Sequence, residues 1–223
     1  MEADRKVSES IRLGTILAIT GGFMDAYSYI VRGGVFANAV TGNIVLTGLN
    51  LADGNFPKAL HSFIPVISFA FGVFVAEWIR EKIGTNGKVH WKEGILWAEL
   101  LLVFIAGFLP QECNSIVNFS IAFVCAMQVE AFRKIRGKAF ATTMCTGNLR
   151  SGTELLSVGV FTKNSEKEKQ AIHYYWIDLI FCGGAFVGFF VCRMFAERAI
   201  WFCMITLFLA ILFIGKQKKD AEV

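Results

Sequence analysis

The sequence predicts an all-α integral membrane protein: about six transmembrane helices in a 3+3 inverted repeat, with two re-entrant or broken-helix segments. Three observations lead there. The chain is 55% hydrophobic and 14% aromatic, more apolar than a soluble domain of 223 residues usually is, and its apolar residues fall in blocks rather than amphipathic stripes. The basic residues gather in one set of connectors between those blocks. Finally, Thr41-Gly42-Asn43 returns as Thr146-Gly147-Asn148, in the same place within each half.

Six blocks reach the roughly 17 to 25 residues needed to cross a hydrocarbon core. They are 13–31, 62–79, 94–110, 115–132, 171–192 and 199–215. Lipid offers the backbone no hydrogen bonds, so each block is read as a helix. The first is not a removable signal: the polar stretch "MEADRKVSES" precedes it and no convincing small-residue cleavage site follows. Two further stretches, 36–51 and 139–161, are moderately apolar, and each holds one Thr-Gly-Asn. Phe36-Ala37 leads into the first and Phe140-Ala141 into the second.

Charge separates six crossings from eight. With six helices and the N-terminus inside, eighteen of the 22 Lys and Arg residues are cytoplasmic and four (Arg32, Lys58, Arg193, Arg198) are outside. The inner set includes Arg5, Lys6, Lys88 and Arg136. Eight helices would divide the basic residues almost evenly. Six is therefore predicted, with short cytoplasmic N- and C-terminal tails. An odd number of crossings per half turns the halves upside down relative to each other. Repeat 1 covers about 11–110 and repeat 2 about 115–215, in a single membrane domain of 1–223. The two Thr-Gly-Asn segments then enter from opposite faces, and such paired Gly-interrupted segments mark a site between repeats.

The correspondence extends beyond the tripeptide. Asp25 lies 18 residues before Asn43, and Glu130 lies 18 before Asn148. Gly72 and Ala76 in the second block match Gly184 and Gly188 in the fifth, and small residues four apart let membrane helices pack closely. Ionisable residues inside a span are costly, which singles out Asp25, Asp178 and Glu99. For Asp25 the plain alternative is a salt bridge to Arg32, seven residues on. Glu77 and Glu154 read as solvated helix ends. The substrate-binding set expected is Asp25, Thr41, Gly42, Asn43, Glu130, Thr146, Gly147, Asn148 and Asp178. Gly frees the backbone to approach a ligand, while Thr and Asn offer polar groups without a buried charge. The competing reading is that Thr and Asn only cap short helices.

The residues "GGFMDAYSYI", "FANAVTGNIV", "AMQVEAFRKIRGKAFATTMCTGNL" and "GGAFVGFF" resemble the YoaK family of uncharacterised bacterial membrane proteins. The resemblance extends over roughly 13–215. It implies a polytopic plasma-membrane protein, and brings no established activity with it. Where the family pattern often has Met-Gln-Asn, this chain reads Met127-Gln128-Val129-Glu130.

The leading functional expectation is a small-solute secondary transporter, proton- or cation-coupled, with its site between the repeats. A channel on the same symmetry and a non-catalytic scaffold or accessory subunit are the alternatives. An enzyme ranks last, since neither HExxH nor GxSxG occurs, and no GxxxxGK[ST] is present to bind ATP. No cofactor and no metal are expected: six cysteines and three histidines are scattered without ligand spacing. The expected partners are the lipid bilayer and a small-molecule or ion substrate. Nucleic acid is not among them, and a homo-oligomer is compatible with the chain.

Overall fold

Each apolar block becomes a helix whose length is set by its polar ends. The computed structural model describes residues 10–83, 90–135, 138–139 and 145–222. Phe140-Ala141, Arg5, Lys6, Lys88 and Arg136, named above, lie outside the described residues. Helix α1 (Ile11–Val31) opens on Ser10, whose side chain accepts from the Arg12 amide. Helix α2 (Val40–Ala52) carries the first Thr-Gly-Asn, and α3 (Phe56–Ile83) contains Pro65. Helix α4 (His90–Ala106) stops short of its apolar block, and a turn of 3-10 helix (Gln111–Cys113) following Pro110 leads into α5 (Asn114–Ala131). Two short strands, β1 (Lys134–Ile135) and β2 (Lys138–Ala139), pair antiparallel.

Helix α6 (Cys145–Thr162) carries the second Thr-Gly-Asn and turns sharply into α7 (Ser165–Phe195). The Asn164 side chain accepts from the amides of Glu166 and Lys167, so α7 begins in polar sequence before its apolar block. A 3-10 segment (Ala196–Trp201) then joins α7 to α8 (Phe202–Glu222). The fold is thus helical apart from the β1–β2 pair.

Among the described residues, three helical stretches are long and apolar enough on their own to cross a membrane. They are Phe56–Lys82, Gln111–Ala131 and Ser165–Lys216, the last containing α7 and α8 in succession. Helix α1 is diluted by Asp25, glycines and hydroxyl residues, and α4 has 17 residues. Large apolar side chains such as Phe63, Ile67, Phe74 and Trp78 of α3 and Phe186 and Phe190 of α7 face outward. Helices so apolar on their outer surface belong in lipid. This is a membrane protein.

Two parallel pairs form the frame. Along α1 and α7, Trp176 donates to Thr15 Oγ1, Gly22 backs onto the Phe181 carbonyl, and Gly188 meets Phe23 and Ala26. Along α3 and α5, His61 bonds Ser115, Ser68 donates to the Phe119 carbonyl, and Gly72 lies against Phe123 and Ala126. A Cβ at Gly72 or Gly184 would strike the backbone carbonyl of Phe123 or Ile19, so only glycine permits these crossings. Ala76 is wholly buried. The frame has two ends. At one, Arg32 joins the C-termini of α1 and α4. At the other, Glu130 of α5 meets Arg80 of α3.

Candidate functional site

The two Thr-Gly-Asn tripeptides occupy the same positions in their helices: each Thr is second, each Gly third and each Asn fourth. Helix α2 is preceded by a strap, 32–39, that doubles back along α1. The Ala37 amide donates to Ser28 Oγ (3.0 Å), and the Asn38 side chain donates to the Gly21 carbonyl (3.1 Å). Gly21 is the central residue of the 21-residue α1, so α2 starts halfway down the frame. It then rises beside α3 towards the Arg32 end, where Asn50 meets Ser62. Helix α6 starts beside Asp178, also near the middle of its neighbour α7, and runs the other way, to the N-terminus of α7.

The first turns of α2 and α6 therefore meet at mid-height. Between them lies a cavity of about 250 Å³ bordered by Asp25, Asn38, Val40, Thr41, Cys145, Thr146 and Gly147, with Phe69 and Phe181 on its sides. Thr41, Thr146 and Gly147 are exposed to it, and a side chain at Gly147 would enter open space. Both helix N-termini lie here, a setting that favours an anion or a hydrogen-bond acceptor, with the Val40 and Gly42 amides of α2 already donating to the carbonyls of Asn38 and Ala39.

Asp25 is buried, and its carboxylate accepts the Asn38 amide at 2.6 Å. It thereby tethers the strap where α2 begins. Its partner is not Arg32. The Arg32 guanidinium is fully buried and binds Tyr27 Oη, the carbonyls of Ala106, Leu109 and Pro110, and Asn114 Oδ1. The carbonyls ending α4 carry partial negative charge, which is what a cation needs there.

The remaining sequence-selected residues lie around the cavity or away from it. Asn43 does not border it: its Oδ1 accepts the Phe36 amide (2.9 Å) and its Nδ2 donates to the Phe36 carbonyl (2.6 Å). The side chain copies a backbone pairing and clamps the strap. Gly42 sits against the Phe36 ring, which stacks on Tyr29. Asn148 donates to Asp178 Oδ1 (3.0 Å), and both stand behind α6 rather than on the cavity lining. Glu130 departs furthest from its expected place. It pairs with Arg80 (3.3 Å) and Arg133 (2.7 Å), and Glu77 binds the same two arginines. A carboxylate a helical end away from Asp25 cannot share its site, and Glu77 is tied rather than simply solvated.

The sequence profile described as "Protein of unknown function (DUF1275)" matches residues 13–213. The chain belongs to that family. It is also 26% identical over 220 residues to "UPF0700 transmembrane protein YoaK" of Bacillus subtilis (strain 168), covering 93% of this chain and 95% of that protein. No solved structure matches.

In this DUF1275 chain, sequence reasoning passed over Asn38, Phe69 and Phe181, which border the cavity. Phe69 and Phe181 are indistinguishable by type from the many lipid-facing phenylalanines. Asn38 carried a signal: it is a polar residue two positions after Phe36, inside an apolar stretch. Glu99 of α4, noted from its depth in a span, is wholly buried and accepts from Gln128 Nε2 at 2.8 Å.

Proposed function

We propose that this chain is a secondary carrier of a small solute bearing an anionic or acceptor group, in a bacterial plasma membrane, and not an enzyme. In this reading six helices span, and the segments of about 11–110 and 115–215 are inverted repeats. Helices α2 and α6 are half-helices entering from opposite faces. At about 1.5 Å per residue, the 13 residues of α2 rise roughly 20 Å, short of a hydrocarbon core of about 30 Å. Packing supports the repeat. The pairs α1–α7 and α3–α5 exchange when the halves are exchanged, as do α2–α3 with α6–α7 and α1–α8 with α4–α5. That is the pattern of a two-fold axis lying in the membrane plane. Most basic residues lie towards the Glu130 end, which the positive-inside rule makes cytoplasmic, along with both termini.

The observation that carries the reading is the cavity where the two half-helices meet. Its volume of about 250 Å³ lies below the roughly 300 to 1,000 Å³ of pockets for drug-sized ligands, so the solute is small. Two helix N-termini face it, and Arg150 is exposed one turn beyond Thr146 on the same helix. Binding energy then comes from amides and hydroxyls, while Asp25 is engaged by the strap.

Purified protein screened by thermal shift against small anionic, neutral and cationic solutes should be stabilised by members of the anionic set. Saturable counterflow of that solute in proteoliposomes separates a carrier from a channel. Gly147→Leu projects into the cavity without striking the protein. It should fold normally and abolish both the shift and the flux. Wild-type binding and flux in Gly147→Leu would overturn the site, and the absence of any stabilising solute would favour a scaffold.

A further inference from the structure

Glu99 stands apart from the cavity and from every ion pair described. It sits on α4 with none of its surface exposed, and its Oε2 accepts from Gln128, while its Oε1 has no hydrogen-bond partner among the described residues. Among the described residues no cation forms an ion pair with it. From α5 it faces Gln128 and the Cys125 thiol, and from α8 the Cys203 thiol. From α1, Met24 Sδ accepts from Cys125, and Asp25 lies beyond that thiol. On its own helix, Lys92 is two turns away with its ammonium over the rings of Trp91 and Phe132.

A bare carboxylate in such a place lacks the donors or counter-charge its ionised form requires. The neutral acid suits it: one oxygen takes the Gln128 amide and the other carries the proton. A metal cation would need several oxygen ligands, whereas the neighbours are one amide and two thiols. Among the described residues no three His, Cys, Asp or Glu side chains gather to hold a metal. Ionisable residues buried inside a span are rare and mark proton relays and ion pathways.

We propose that Glu99 is the proton-binding site of this protein, and that the proton is the ion coupled to solute movement. This rests on the carrier reading above and names its coupling ion. Binding adds one H⁺ to the Glu99 carboxylate, with no bond to carbon made or broken.

Infrared difference spectroscopy of the full chain in lipid nanodiscs, titrated from neutral to alkaline pH with no solute present, tests the site directly. The expected result is a protonated-carboxyl C=O band at neutral pH that vanishes on titration and is missing from Glu99→Gln. It should change frequency in Gln128→Leu and persist in Asp25→Asn. Should Glu99→Gln fail to fold, Glu99→Asp must shift the band instead. An unchanged band in the Glu99 variants overturns the proposal, as does a Glu99 band that never titrates. The coupling is read separately. A pH gradient imposed on proteoliposomes should drive uptake of the solute found by the thermal-shift screen in wild type and not in Glu99→Gln. Uptake surviving in Glu99→Gln overturns the coupling. A titrating Glu99 band in protein without solute flux keeps the site and removes only the carrier reading.

Discussion

Helices α2 and α6 carry the same tripeptide and border the same cavity, and the bonds seen among the described residues lead in different directions. At α2 the chain is bonded to its own half: Asn43 brackets Phe36, Asp25 takes the Asn38 amide, and Ser28 takes that of Ala37. At α6 the equivalent Asn148 reaches sideways to Asp178 on the following helix. The Asn43 side chain copies a backbone pairing within its own half, and the Asn148 amide bonds across to the next helix. Thr41, Thr146 and Gly147 meet the cavity, while Gly42 and the two asparagines stand off its lining.

The largest effect expected from this difference is that of Asn43→Leu. It strands the partly buried amide and carbonyl of Phe36, at up to about 1–3 kcal/mol each. The variant should lose monodispersity in detergent size-exclusion chromatography and unfold at a markedly lower temperature. Asn148→Leu removes a donor to a carboxylate, worth about 1.5–3 kcal/mol. It should remain folded with a smaller fall in melting temperature. Equal losses in the two variants would erase the distinction drawn here. The smallest effect on stability belongs to Thr41→Val and Thr146→Val, whose side chains are exposed to the cavity. Each should stay within about 0.5 kcal/mol of wild type, while weakening solute-induced thermal stabilisation. A large loss of stability in either would mean that these hydroxyls hold the helices rather than meet a ligand.

Much of the helical layout was legible, because a helix in lipid must be written as an apolar block and its closest crossings must be written in glycine. Gly72 and Gly184 are such crossings. Of the cavity residues, Asp25, Thr41, Thr146 and Gly147 were visible as polar or small interruptions of apolar sequence. What could not be read depends on partners distant in the chain. Glu130 has the same spacing to its tripeptide as Asp25, but Arg80, fifty residues away in sequence, draws it into an ion pair. Arg32 read as an outer-loop charge because its acceptors are backbone carbonyls, to which residue type gives no clue. The end of α4 was placed late because hydropathy continues through Phe108 and Leu109 after the helix has stopped.

Arg32 has a mechanical meaning. Its guanidinium pins the C-terminal end of α1 to the last carbonyl of α4, the turn after it and the first residue of α5, and its own carbonyl receives Asn118 and His61. Helices fastened so densely at one end pivot there rather than part. Displacement then grows with distance from the pivot and is greatest at the opposite end. There Glu77, Arg80, Glu130 and Arg133 are partly exposed, and ion pairs of that kind trade partners with water at little cost. The molecule is built like tongs: a riveted joint at the Arg32 end and jaws at the Glu130 end.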